Sequence, residues 1–398
     1  MQELFERRVL LPLSAIILMQ STIVMSSYGI TVVVPDAAGD IGIPPEWVGY
    51  LVAVVYAAGS ISGLLSGRMV ALWGAAAAFR AMMLAVALGC LALIGATPAF
   101  AFLSALCLGL ATGPMNPVGS FVLTRISPTR WSAFIFSVKQ CATPAGGALA
   151  GLILPPIVAL WDWQAAFMTI FGVAAILFLA AGAGGLDGET GQHPKRSGGG
   201  ITESLRLSLA GPQVAATSLA GMLFAGSQVA LVAFLVVYLW KKGGLTTAEA
   251  GAAFALFHIS GVVARLVFGW FAERRISSAA LLVVSASGMV LGLLAMAKFT
   301  PQTPHWWIFA VVAFAGATGN GWVGLLFAEL ARLAPPSRAA EVTGGAQVFM
   351  YGGVFTTPLA CSAVLDATGG NYTTVFAILI GLAVGTAILL EWGRRQRR

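Results

Sequence analysis

Two basic residues, Lys139 and Arg265, lie deep within long apolar runs, whereas the remaining lysines and arginines fall in short polar stretches or near the chain ends. A charge near the centre of a bilayer costs about 2.5–3.5 kcal/mol on insertion scales, so each of these two needs a reason to be there. Every Asp and Glu, Glu249 and Glu329 included, reads as a loop, tail or end-turn residue, so no intramembrane acid offers itself as a counter-ion. A guanidinium and an ammonium in such places can clamp an anion, or they can snorkel to the headgroups. His258 precedes Arg265 by seven residues, which puts it on the same helical face about 10 Å away. It could hydrogen-bond a substrate or carry a coupling proton, or be a neutral histidine bonded to a neighbouring helix. Other polar residues at membrane depth are Tyr28, Tyr56, Asn116, Gln140, Gln228, Asn320, Gln347 and Tyr351. For any one of them, bonding between helices competes with substrate contact.

The elements that position these residues are membrane helices. The apolar set makes up 58% of the 398 residues and DEKR only 9%, too few charges to cover a water-soluble exterior. Apolar runs near twenty residues long recur, the length a helix needs to cross about 30 Å of hydrocarbon. Alternating ten-residue segments are absent, which argues against a β-barrel. The 48 glycines suit helices that approach closely in lipid. Cys90, Cys107, Cys141 and Cys361 sit inside apolar runs at unrelated spacings, so neither a disulfide framework nor a metal site is expected. Arg7 and Arg8 precede a long apolar run without a small-residue cleavage site, so that run reads as the first span and not a cleaved signal.

Twelve spans follow from the runs and their breaks. The first six are 9–34, 47–67, 76–96, 99–124, 132–157 and 165–184, and the second six are 212–239, 246–270, 277–297, 306–331, 342–365 and 373–392. The polar stretch 185–208, with its glycines, Pro194, Lys195 and Arg196, reads as a cytoplasmic linker between an N-terminal bundle, 1–184, and a C-terminal bundle, 209–398. With a cytoplasmic N-terminus, 17 of the 22 Lys and Arg face inward, 3 face outward and 2 are intramembrane. That bias puts both termini in the cytoplasm. It also accounts for the net charge of +7 without nucleic acid, the tail Arg394–Arg398 lying against anionic headgroups. Trp161, Trp163, Trp306 and Trp307 read as outer-interface aromatics.

The halves repeat. At an offset of 202 residues Gly49 meets Gly251, Tyr56 meets His258, Gly59 meets Gly261 and Gly67 meets Gly269. Two similar sixes joined by a polar linker are the layout of parallel repeats about the membrane normal, and over nearly its whole length the chain resembles the major facilitator superfamily. The family's loop pattern after the second and eighth helices is approximately G-x-L-A-D-R-x-G. The second copy here, Gly269-Trp270-Phe271-Ala272-Glu273-Arg274-Arg275, keeps the acid and the base but not the last glycine. The first copy, Gly67 to Gly74, keeps both glycines and has Ala71 and Leu72 in place of the charged pair. The resemblance implies a cytoplasmic latch in which Glu273 faces a neighbouring helix N-terminus, with Arg274, Gly269, Gly67 and Gly74 as gating residues.

The same resemblance implies an all-α fold of two six-helix bundles and alternating access, with the fifth and eighth helices lining the interface of the halves. Lys139 and Arg265 would then approach across a central cavity. Helix 8, Gly261 to Trp270, is similar to that of bacterial monocarboxylate and oxalate/formate-type carriers, in which an arginine of this helix serves the carboxylate. Helix 5, Ser137 to Gly147, is similar to that of small-anion permeases near the cyanate carriers. Helices 1, 4, 7 and 10 line the cavity in this family, which points to Tyr28, Asn116, Gln228 and Asn320. The expectation is a secondary transporter of a small organic anion, a monocarboxylate first, in a bacterial inner membrane. It would act as a monomer, with a coupling proton or a counter-anion as the second species and no cofactor. A drug exporter of the same fold is the alternative, but its cationic substrates would want an intramembrane acid. Neither a nucleotide-binding loop, a zinc-helix motif nor a converging nucleophile and base appears, so no enzyme is expected.

Overall fold

The computed structural model describes residues 7–126, 132–182, 186, 201–274, 276–335 and 338–396, with the side chains at 7, 8, 132–134, 201, 273 and 340 outside the description. Among the described residues all regular structure is helical: α1 (Arg7–Ile41), α2 (Val48–Ile94), α3 (Pro98–Ile126), α4 (Ser132–Gln140), α5 (Ala142–Leu160), α6 (Trp163–Ala180), α7 (Ile201–Ser208), α8 (Pro212–Lys241), α9 (Thr247–Arg274), α10 (Ser278–Met296), α11 (His305–Asn320), α12 (Val323–Leu333), α13 (Ala339–Ala367) and α14 (Tyr372–Arg395), with one 3₁₀ turn at Pro45–Trp47.

Eleven helical stretches are long and apolar enough to cross a membrane, one of them the 50-residue Pro45–Ile94. Its α2 has 47 residues, about 70 Å of helix against about 30 Å of hydrocarbon, so it has to be two spans. The join is Gly74, with φ 79° and ψ 169°, a conformation open to glycine and not to side-chain-bearing residues. Two other spans are each built from two helices. Pro144 cannot donate to the Gln140 carbonyl, and α4 passes to α5 at Cys141. The Gly-Asn-Gly sequence at 319–321 likewise separates α11 from α12. Twelve spans result, the number expected.

Contacts group the chain into two units, Met1–Pro194 and Lys195–Arg398. Within the first, α1 packs on α5, α2 on α3 and α2 on α6. Within the second, α8 packs on α13, α9 on α11 and α10 on α14. Span for span, these are the same three pairings. Glycines set their closeness. A Cβ at Gly109 would lie 2.3 Å from the Val55 carbonyl and one at Gly113 2.0 Å from that of Gly59, at the α2–α3 contact. A Cβ at Gly316 would meet the Phe257 carbonyl at 2.2 Å, at the α9–α11 contact. In lipid this backbone approach supplies the dispersion that holds helices together. Gly113→Ala puts a methyl against backbone that cannot yield without moving a whole span, and should cost about 3 kcal/mol or more. Gly67→Ala, where a Cβ meets nothing within 4 Å, is the control and should leave the unfolding temperature in detergent within a degree or two.

Three local readings change. α1 continues past residue 34 to Ile41, which brings Asp36 and Asp40 onto the helix. Asp40 accepts a 2.8 Å bond from Trp163 Nε1, so Trp163 is a buried, bonded side chain and not an interface aromatic, while Trp161 and Trp306 are exposed. Within 185–208, residues 201–208 form α7, which packs on α13. There Arg338 bonds both Glu203, at 2.9 Å, and Glu341, at 2.7 Å.

Candidate functional site

In the first unit, Lys139 lies in the last turn of α4 and is only 2% exposed. Its ammonium donates to the Asn116 carbonyl at 3.2 Å and to Ser120 Oγ at 2.9 Å, both on α3. The Phe136 ring centroid is 6.0 Å from Nζ. The break before α5 matters here, because the carbonyl end of α4 carries partial negative charge beside the cation. Gly119 gives room: a Cβ there would meet Gln20 Nε2 at 2.8 Å and Lys139 Cε at 3.6 Å. Gln20, buried on α1, donates to the Met115 carbonyl at 2.7 Å. Among the described residues its Oε1, and Oδ1 of Asn116, are buried without a donor. Lys139 thus stands among neutral oxygens, and no described carboxylate pairs with it. These contacts exclude snorkelling for Lys139 in this conformation.

In the second unit, Arg265 on α9 reaches the end of α11. Its Nε donates to the Asn320 carbonyl at 3.0 Å and its Nη2 to Asn320 Oδ1 at 2.7 Å. The Asn320 carbonyl belongs to the last residue of α11, where a helix leaves carbonyls unclaimed. Asn320 Oδ1 also accepts from Gln228 Nε2 at 2.9 Å, and Gln228 Oε1 accepts from Trp322 Nε1 at 3.0 Å. Trp322 donates further to the Gly319 carbonyl and stacks on Phe224 of α8, ring centroids 4.8 Å apart and nearly parallel. The result is a polar chain, Arg265–Asn320–Gln228–Trp322, joining α9, the α11–α12 junction and α8. Gly261, one turn before Arg265, admits it, since a Cβ there would lie 2.6 Å from Asn320 Nδ2.

The remaining site candidates divide. Asn116 joins Lys139, and Gln228 and Asn320 join Arg265. Tyr28 Oη lies 3.4 Å from Tyr56 Oη, linking α1 to α2. His258 is buried, edge-on to Phe254 and Phe257 at 4.8 and 5.4 Å. Gln140 is exposed and enters neither cluster. Gly67 and Gly269 have open space beside them, Gly74 forms the turn between spans, and Arg274 lies over the Trp270 ring at 4.9 Å. The Glu273 side chain, on which the expected latch turns, is outside the described residues. Among the described residues no cluster of His, Cys, Asp and Glu could hold a metal. Ser120, Gln20 and Trp322 escaped sequence reasoning. For Trp322 a signal existed, because Gly-Asn-Gly within an apolar run marks a helix break at which side chains turn inward.

Comparison with known proteins identifies the family. The family model of the Major Facilitator Superfamily matches residues 16–358 and 217–398. The chain is 27% identical over 356 residues to the probable nitrate/nitrite transporter NarK2 of Mycobacterium tuberculosis, covering 87% of each protein. It is 25% identical over 247 residues to an uncharacterized MFS-type transporter of the same organism, covering 60% of this chain and 50% of that one. In fold it is similar to the nucleoside transporter NupG, with TM-score 0.76 and 15% identity over 96% of this chain and 99% of that one. A POT family transporter in complex with 5-aminolevulinic acid gives 0.76 and 15% over 96% of both. Neither structural likeness reaches beyond the fold.

Proposed function

The chain belongs to the Major Facilitator Superfamily and is a multi-pass secondary transporter and not an enzyme, and from that premise we propose that it carries a small planar oxyanion. Nitrate or nitrite and a short monocarboxylate share the relevant chemistry: one negative charge spread over oxygens in a plane. One observation carries the reading. The Nε–Nη2 edge of Arg265, inside a span, is engaged by two oxygens of a single residue at 3.0 and 2.7 Å, the pattern a planar oxyanion makes with a guanidinium fork. The NarK2 relative supports the inorganic members of this class, and the helix 8 resemblance supports the organic ones.

Lys139 is the second positive group of the proposal. It is buried among neutral oxygens, and an ammonium so placed contributes a point charge where a fork contributes direction. The carrier works by alternating access in a bacterial inner membrane as a monomer, with both termini cytoplasmic on the strength of the charge bias. A proton or a second anion is the coupled species.

The test is uptake into proteoliposomes of nitrate, nitrite, formate and lactate, each against a control without protein. Saturable uptake of at least one, inhibited by the others in the order of their affinities, is the expected result. Uptake of lipophilic cations with none of the four anions moving would replace this reading with drug export.

A further inference from the structure

The edge of Arg265 that a planar oxyanion needs is held by Asn320. On the reading of Arg265 as the anion's guanidinium, we propose that Asn320 is a positioning residue that stands in the anion's place: anion and Asn320 compete for Nε and Nη2, and the exchange frees the α11–α12 junction.

Geometry supports each part. Asn320 presents two oxygens, its carbonyl and Oδ1, to one guanidinium edge, as a carboxylate or nitrate would. Its amide is neutral, so a charged oxyanion has the stronger claim on the same donors. Displacement leaves no Asn320 side-chain oxygen without a donor, since Oδ1 keeps its bond from Gln228 Nε2. Only the carbonyl is released, and it belongs to the last residue of α11. The polar chain then changes at one end while Trp322, held by Gln228, Gly319 and the Phe224 ring, stays fixed at the other. Occupancy of Arg265 is thereby converted into freedom at a joint between two helices of one span. Gly261 fits the same design: without a side chain there, Asn320 lies directly against α9 beside Arg265.

The test titrates purified full-length protein with sodium nitrate, nitrite, formate and lactate, following unfolding temperature and binding heat. Asn320→Asp is isosteric and makes the stand-in a permanent counter-ion. It should keep the wild-type unfolding temperature without ligand and raise Kd for the recognised anion by about a hundredfold or more. Asn320→Ala removes the side-chain half of the competitor and leaves the backbone carbonyl on Nε, so it should lower Kd for the recognised anion by about tenfold. An anion using another edge of a guanidinium that Asn320 merely steadies would give the opposite: weaker binding in Asn320→Ala, which overturns the proposal. Near-wild-type affinity in Asn320→Asp overturns it too, and that result stands alone if the alanine variant does not fold. A wild type that responds to none of the four anions removes the anion reading itself, an outcome distinct from a responsive wild type whose variants fail to diverge.

Discussion

Arg265→Ala should reduce anion uptake in proteoliposomes by about a hundredfold or more, with the protein still folded. Truncation removes both donors of the guanidinium edge, and bonds from a charged donor are worth about 1.5–3 kcal/mol each, so losing two reaches that factor. The structural cost is smaller. Asn320 Oδ1 keeps the bond from Gln228, and the Asn320 carbonyl is one of the end carbonyls that a helix leaves to other donors. Against the loss stands the removal of an intramembrane cation, which returns about 2.5–3.5 kcal/mol on insertion scales. Unfolding temperature should therefore move little while transport collapses. Arg265→Lys is the sharper variant. It keeps the charge and loses the fork, so uptake should remain at least tenfold below wild type with the deficit mainly in affinity. Equal uptake by wild type and both variants would remove Arg265 from the site. A deficit that appears only with a matching fall in unfolding temperature would make it a tie between α9 and α11 and nothing more.

How much of this was legible in the sequence depends on which physical constraint was acting. The bilayer imposes a length and an apolar composition on every span, so the spans and the repeat could be read directly, and even the fused α2 kept its Gly74 as the sign of a turn. The end of α1 could not be read. Asp36 and Asp40 look like the end of a span, and only the bond from Trp163, 123 residues away, shows that a polar residue is satisfied there. Lys139 and Arg265 stood out because a charge in an apolar run is costly wherever it points. Their partners did not stand out in the same way. Asn320 was a candidate on its own account, but helical periodicity assigns a residue to a face and not to a neighbour on another helix, so its pairing with Arg265 was invisible. Ser120 and Gln20 are ordinary for membrane helices, and nothing in their spacing marks them as neighbours of an ammonium. One parallel emerges only from the structure: each cation meets an asparagine of its own unit, Lys139 on Asn116 and Arg265 on Asn320, in the fourth span of each half.

Lys139→Met should give the clearest separation of function from stability: uptake at least about a hundredfold lower, and an unfolding temperature close to that of wild type. Methionine matches the lysine stem in length and fills the space beside Gly119 and Phe136. What disappears is a charge that is 2% exposed and whose described partners are a carbonyl and a hydroxyl. Losing those two bonds from a charged donor costs about 1.5–3 kcal/mol each, whereas removing the buried cation returns about 2.5–3.5 kcal/mol. At the lower end of the bond values the two nearly cancel. A lysine present for packing or helix capping would behave otherwise, since its loss would lower the unfolding temperature and leave transport intact. The charge-retaining Lys139→Arg carries a larger head into a pocket closed by Gln20 and Asn116, so it should fold less well than the methionine variant while keeping more of the anion affinity. That crossing of stability against affinity is what an ammonium kept for its charge, at a cost to the fold, has to show. If Lys139→Met transports like wild type, Lys139 takes no part in transport and Arg265 acts without it.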